Sequence, residues 1–306
     1  MPDARLIALD WGTSSLRAYR LGAGGAVLQA RQQPWGILHL PDGGFAAALR
    51  GIAGDWIGAA PTPPLLASGM VGSAQGWAPV HYLDTPADAK ALAAGLHPLD
   101  TGLGCRLHVV PGVRLPGERP DVMRGEETQI VGALATVPSL AMRSRLLLPG
   151  THSKWVELQA GCITAFRTYM SGELYAVLKE HSILGRPARD VGAVADDVAF
   201  DRGVAAAQGA EPLAALLFSA RTLVLDGRLL AAHSLDYLSG LLIGDELRSA
   251  LHDGGDSVPM ALIGEPALGA RYRRALSAFG RNEVAGVNHA APAGLWALAV
   301  AAGLVR

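Results

Sequence analysis

The sequence predicts an α/β protein built from two similar lobes. Three observations lead there. A pattern of strand, Gly-Thr turn, strand and glycine turn opens the chain, with Leu6-Ile7-Ala8-Leu9-Asp10-Trp11-Gly12-Thr13-Ser14-Ser15 followed by 16–21 and a turn at Gly22. The same pattern returns at Leu146-Leu147-Leu148-Pro149-Gly150-Thr151-His152-Ser153-Lys154, followed by 155–160 and a turn at Gly161. Later, Met260-Ala261-Leu262-Ile263-Gly264-Glu265-Pro266 reads as a strand, a glycine turn and a helix start. One Gly-Thr hairpin is common. A matched pair fits two lobes facing a shared nucleotide.

Taken in order, residues 5–11, 16–21 and 26–32 read as three strands joined by tight turns, the second turn being Gly22-Ala23-Gly24-Gly25. After a buried strand, glycine lets the backbone approach a ligand, and successive N–H groups around Gly12-Thr13-Ser14 can form an anion-binding concavity. Asp10 cannot bind a phosphate, because like charges repel. Its chemistry suits a hydrated Mg²⁺, a hard cation that takes carboxylates and water. A helix is expected over 44–58. Leu65-Leu66-Ala67-Ser68-Gly69-Met70-Val71-Gly72-Ser73 reads as a short buried strand and a glycine-punctuated loop, the place where α/β sheets bind ligands.

The middle of the chain carries an irregular loop with Arg114 and 116–120, then Asp121-Val122-Met123-Arg124-Gly125-Glu126-Glu127 leading into an apolar helix. Acids at a helix start favour its dipole, by roughly 0.3 to 1 kcal/mol each. A carboxylate in that place can also orient and deprotonate a hydroxyl. Beyond the second hairpin, 162–170 continues as a strand and Ser171 reads as an N-cap of the helix that follows. Residues 196–250 read as helical, with Leu235, Leu238, Leu241 and Leu242 at core spacing. The strand and helix around Gly264 have the form of an adenosine pocket.

Composition sets the limits. The chain has 306 residues, 50% of them hydrophobic, enough for a large core divided into two domains, expected at 1–130 and 131–306. Apolar runs break before about 18 residues, and no basic stretch leads into an apolar run at the N-terminus, so neither a membrane span nor a signal peptide is expected. Cys105 and Cys162 form no CxxC, which fits a reducing cytoplasm. Nine histidines show no metal-binding spacing, and a net charge of −1 makes no case for nucleic acid. Lys154, one of three lysines with Lys90 and Lys179, stands in the second turn.

The order of hairpin, acid-led helix, hairpin and strand-Gly-helix resembles that of the sugar kinase and actin-like ATPase superfamily. Residues 6–20, 121–132, 149–155, 169–177 and 237–244 are similar to the 2-dehydro-3-deoxygalactonokinase family. Its phrases here are Asp10-Trp11-Gly12-Thr13-Ser14, Arg124-Gly125-Glu126-Glu127 and Pro149-Gly150-Thr151-His152-Ser153-Lys154-Trp155. The resemblance implies two actin-like ATPase (ribonuclease H-like) lobes with a nucleotide cleft between them. It implies phosphoryl transfer from ATP, with Mg²⁺, to the 6-hydroxyl of 2-dehydro-3-deoxy-D-galactonate. No GxxxxGK[ST] is present, so this is not a P-loop pattern.

On that resemblance, Gly12, Thr13, Ser14, Gly150, Thr151 and His152 hold phosphates, Asp10 holds the metal, and Gly264 and Leu268, with Arg271, border the adenosine. The superfamily's base is an aspartate at the connecting helix start. Here Glu126 begins the helix and Asp121 keeps the aspartate, and Glu126 is favoured. Arg114, Arg124, Arg167 and Lys154 are candidate cations for the substrate carboxylate, and Trp11, Ser68, Gly69 and Met70 are candidate contacts for its chain. Glu265-Pro266 departs from the superfamily's second glycine. A homodimer is the default expectation. The alternatives are a kinase for another sugar or sugar acid, or a nucleotide-binding regulator on the same fold.

Overall fold

The computed structural model describes residues 3–59, 61–252 and 258–306. In chain order the first elements are β1 (Leu6–Trp11), β2 (Leu16–Leu21), β3 (Val27–Gln33), α1 (Gly44–Ile57), β4 (Leu65–Gly69), β5 (Tyr82–Asp84), α2 (Ala89–Ala94), β6 (His97–Asp100), β7 (Arg106–Val109), β8 (Gly112–Leu115), β9 (Asp121–Met123) and α3 (Glu126–Thr136). The second hairpin follows as β10 (Arg143–Leu148), β11 (Ser153–Gln159) and β12 (Cys162–Tyr169). Then come α4 (Ser171–His181), α5 (Arg186–Val191), α6 (Asp197–Ala207), α7 (Leu213–Leu216), α8 (Ser219–Leu225), α9 (Ser234–His252), β13 (Met260–Ile263), α10 (Pro266–Ala278), β14 (Val284–Val287) and α11 (Ala290–Ala301).

Two sheets repeat one order. The six-stranded sheet runs β3-β2-β1-β4-β7-β6 and the five-stranded sheet β12-β11-β10-β13-β14. In each, a three-strand meander is laid down in reverse and the next strand of the sheet joins the first strand's free side. A small third sheet, β5-β8-β9, carries Arg114 on β8 and Asp121 on β9, where the sequence reading had a loop and the approach to a helix. By contact the chain divides into two compact units: Met1–Leu146, Val156–Arg167 and Val287–Arg306 in one, Leu147–Trp155 and Thr168–Gly286 in the other.

Within the first unit, β1 pairs antiparallel with β2 and parallel with β4, so it is central and its apolar run is buried. Alternation along the strand sends Ile7, Leu9 and Trp11 into one core with Ala48, Leu49, Ile52 and Trp56 of α1. Asp10 points to the opposite face. The last helix, α11, packs on α3, α2 and β1, which returns the end of the chain to the unit that holds its beginning.

The crossing of α3 and α11 is the tightest feature of this unit. A Cβ on Gly132 would lie 1.9 Å from the Ala290 carbonyl oxygen, and one on Gly294 would lie 1.8 Å from the Thr128 oxygen. Only glycine at both positions lets the backbones meet. In the second unit, β10, β11 and β13 supply Leu147, Trp155, Met260 and Leu262 to a core closed by Phe200, Ile243, Leu247 and Tyr272. The stretch 196–250 forms α6 to α9. Ser171, read as an N-cap, is instead the first residue of α4 with Met170 before it, and its hydroxyl serves a buried carboxylate. Replacing Gly294 by alanine is expected to destabilise the protein by about 1–3 kcal/mol through overpacking, read as a lower midpoint in urea unfolding. An unchanged midpoint would mean that the two helices separate at little cost.

Candidate active site

In the first unit, the Gly12 N–H donates to the Ser15 carbonyl (2.9 Å), closing the turn, while the Gly12 and Thr13 carbonyls accept from the Ile37 and Leu38 N–H groups (3.1 and 3.2 Å). The carbonyls are thus drawn to the loop behind, and Thr13 and Ser14 stay exposed. Asp10 faces Arg17 across the β1–β2 ladder, with Nη1 to Oδ2 at 3.4 Å. Burial raises its pKa, and the Arg17 charge offsets part of that. Parallel pairing with β4 sets buried Ser68 beside Asp10 and Gly69 beside Trp11. A Cβ on Gly125 would come 3.2 Å from Gly69 Cα, so the start of α3 stands against the end of β4.

Two acids occupy that helix start. Glu126 is the first helical residue, partly exposed, and its Oε2 accepts from the Arg124 backbone N–H (3.0 Å). Glu127 is fully buried; its carboxylate accepts from the Gly125 N–H (2.6 Å) and the Thr128 hydroxyl (3.0 Å). Burial first, then the neighbouring Glu126 charge, raises its pKa from 4.5 to about 7. Asp121 is separated from this start by β9, with its Oδ1 on the Val122 N–H (2.7 Å). Sequence reasoning noted Glu127 in the motif without giving it a role; adjacency to Glu126 was the available signal.

The candidate cations differ in what already engages them. The side-on fork of Arg114 is closed by Asp84, at 2.6 and 3.0 Å. Arg124 is 9% exposed, lies 4.2 Å over the Tyr82 ring and donates from Nη2 to the Val80 carbonyl (2.7 Å), while Nη1 is buried without a partner. Lys154 is buried and donates to the Thr168 hydroxyl (2.7 Å), and Arg167 is exposed on β12. Trp11, expected to touch the sugar acid, is a core residue instead: it is fully buried, bonds the Trp35 carbonyl (2.9 Å) and packs on Phe45 and Trp77. The side-chain alternation that frees Asp10 buries its neighbour. Met70 follows Gly69 and is partly exposed.

In the second unit, the turn Gly150-Thr151-His152 is held by α4. A Cβ on Gly172 would fall 2.3 Å from the Gly150 carbonyl oxygen, the Glu173 N–H donates to the Thr151 carbonyl (2.9 Å), and His152 Nε2 meets Glu173 Oε2 at 2.5 Å. Gly264 stands near Pro149, and Glu265 caps α10 by accepting from the Leu268 N–H (3.0 Å) with Pro266 next. That pair is helix-start chemistry, which accounts for the missing second glycine.

A cavity of about 210 Å³ opens here, lined by Gly150, Ser171, Gly172, Tyr175, Ser239, Leu242, Ile243, Leu268, Arg271 and Tyr272. It brings Gly150, Leu268 and Arg271 together, whereas Thr151, His152 and Gly264 are outside its lining. Arg271 pairs with Asp236 (2.6 Å) and lies over the Phe200 ring at 4.4 Å. Ser171, Gly172, Tyr175, Ser239 and Tyr272 were missed by sequence reasoning, although four of them lie in the stretches 169–177 and 237–244 that carry the resemblance.

Among the described residues, no group of three or more His, Cys, Asp or Glu side chains could cage a metal, and no helix is long and apolar enough to cross a membrane. Asp10 offers one carboxylate. That fits a Mg²⁺ held mainly by water and phosphate.

The raised pKa of Glu127 has a stability consequence. Because the fold favours its protonated form, its contribution is full below pH 4.5 and is lost as pH rises through about 7. The expected loss is of the order of 3 kcal/mol. An amide at this position does not titrate; its oxygen can accept from the Gly125 N–H and its nitrogen can donate to the Thr128 hydroxyl, so Glu127→Gln should flatten this part of the profile. Urea unfolding of both proteins from pH 4 to 8 checks it; parallel profiles would show that Glu127 does not titrate as described.

Known proteins resemble this chain over most of its length. The family model for 2-keto-3-deoxy-galactonokinase matches residues 10–298. A 2-dehydro-3-deoxygalactonokinase of Escherichia coli is 35% identical over 280 residues, covering 90% of this chain and 91% of its own. A Rhizobium meliloti protein assigned the same activity is 38% identical over 279 residues, 90% of each chain. The crystal structure of a Sinorhizobium meliloti protein so assigned superposes with a TM-score of 0.88 at 35% identity, covering 96% of this chain and 98% of that one. The activator of 2-hydroxyisocaproyl-CoA dehydratase from Clostridium difficile, with bound ADPNP, shares the fold at a TM-score of 0.52 and 10% identity, covering 97% and 95%. The fold is the α/β fold of the actin-like ATPases and sugar kinases, and the chain belongs to the 2-keto-3-deoxy-galactonokinase family.

Proposed function

We propose that this protein transfers the γ-phosphoryl group of ATP to the 6-hydroxyl of 2-dehydro-3-deoxy-D-galactonate, giving 2-dehydro-3-deoxy-6-phosphogalactonate in cytoplasmic D-galactonate catabolism. Membership of the family supports the acceptor. The observation that carries the nucleotide is the cavity that begins at Gly150, with Leu268, Arg271 and Tyr272 in its wall. Phosphoryl transfer asks a protein for positioning and charge neutralisation. In this reading the Gly12-Thr13-Ser14 and Gly150-Thr151-His152 turns contact phosphates, Gly264 borders the adenosine, and the sugar-acid site belongs to 1–130 and the adenosine site to 131–306.

Asp10 would hold Mg²⁺ through its water shell, and the ion would neutralise phosphate charge. Arg17 must then relax its hold on that carboxylate. Glu126 is the general base, since it stands at the helix start while Asp121 stands at the first position of β9, away from that start. Its buried neighbour Glu127 holds a proton over much of the working range and so spares Glu126 a second full negative charge. Arg124 is the favoured partner for the substrate carboxylate because it has a buried, unpartnered nitrogen next to that start. Lys154 and Arg167 are further candidates; Arg114 would have to leave Asp84. Ser68, Gly69 and Met70 border the sugar-acid chain.

A coupled ADP-release assay with Mg-ATP, offering 2-dehydro-3-deoxy-D-galactonate, its gluconate epimer, galactonate and glycerol, tests the substrate. Rapid turnover is expected with the first alone, and preference for the epimer would move the protein to another sugar-acid specificity. In the same assay, Glu126→Gln should lower kcat by about 10² to 10⁴ with little change in the KM for ATP, and Asp121→Asn should stay near wild type. If both variants kept wild-type rates, neither acid would be the base.

A further inference from the structure

Glu246 lies on α9, outside the cavity lining, and is 1% exposed. Its carboxylate accepts from Trp155 Nε1 (2.8 Å) and the Tyr272 hydroxyl (2.8 Å), with Ser171 also bonded to it. A phenol has one proton. With that proton directed to Glu246, the Tyr272 oxygen can only accept from the Ser153 hydroxyl at 2.9 Å, and Ser153 is also bonded directly to Glu246. One buried carboxylate therefore ties Ser153 to the surrounding elements both directly and through Tyr272.

Each anchor of this network belongs to a different wall of the site. Ser153 follows the Gly150-Thr151-His152 turn directly and starts β11. Ser171 starts α4, whose next residue presses on Gly150 and Thr151. Tyr272, on α10, stands beside Arg271 and Leu268 in the cavity wall. Trp155 fixes the strand between them. A burial that costs this much free energy is stable only while all its donors are present.

We infer that Glu246 is a positioning residue which holds the second Gly-Thr turn in register with the nucleoside cavity, so that one nucleotide can reach both. The inference rests on the nucleotide reading above. It requires no contact between Glu246 and the ligand. A ligand that spans cavity and turn should feel its loss, whereas one that fills the cavity alone should not. An amide in place of the carboxylate turns one acceptor into a donor and breaks the network.

Calorimetric titration of the full chain with ADP and, separately, adenosine tests this, using wild type, Glu246→Gln and Ser153→Ala, a network member outside the cavity lining. Each variant should weaken ADP about tenfold while adenosine changes less than about twofold. The double variant should lose scarcely more than either single one, because both cut the same network. Equal weakening of ADP and adenosine would reduce Glu246 to a structural role and overturn the inference, as would unchanged ADP binding. If Glu246→Gln does not fold, Ser153→Ala, which removes only a hydroxyl, decides alone. Wild type that binds no ADP would remove the nucleotide reading and this inference together, an outcome distinct from a wild type that binds while its variants are unaffected.

Discussion

Three carboxylates withdrawn from water impose the constraint on which the structure depends: Asp10, Glu127 and Glu246. Burial raises the pKa of each, because a charge in a poorly solvated place costs several kcal/mol unless donors meet it. Each is met differently. Asp10 faces a guanidinium across a ladder, Glu127 takes a backbone N–H and a hydroxyl at a helix start, and Glu246 gathers an indole and hydroxyl groups from separate elements. The positions of the surrounding strands and helices follow from those needs, since a donor missing from any of them would leave a charge unsatisfied.

The two Gly-Thr turns show how one topology is adapted to two tasks. Both expose the threonine and the residue after it, and both follow a strand buried on each side. Behind the first lies a loop that takes up its carbonyls, and before it stands Asp10. Against the second lies α4, and its strand is followed by Pro149, where the first hairpin has Trp11. The first turn thereby has a carboxylate before it, and the second has a cavity beside it. The frame is repeated; the residues flanking each glycine differ.

Much of the frame was legible in the sequence because its signals are local. Apolar runs of strand length and glycines at turns placed the hairpins to within a residue or two, and the acids at 126 and 127 marked α3. The network of Glu246 was not legible, since Trp155, Ser171, Glu246 and Tyr272 are far apart in the chain and each is ordinary in its own segment. Ser171 misled for the same reason: a hydroxyl before an apolar helix has the signature of a cap, and only the fold reveals a buried acid as its partner. Trp11 beside Asp10 looked like part of the site, whereas the pleat puts the two on opposite faces. Arg114 looked available until β8 paired with β5 and set Asp84 beside it.

The neighbouring acids at the start of α3 follow from the same logic of desolvation. Two charged carboxylates side by side repel, and the helix dipole relieves only part of that repulsion. Glu127, being fully buried, is the one whose charged form the fold disfavours, while Glu126 beside it is partly exposed. The helix start thus holds two acids in unlike surroundings, and the close approach of α3 and α11 at Gly132 and Gly294 helps fix the helix that carries both.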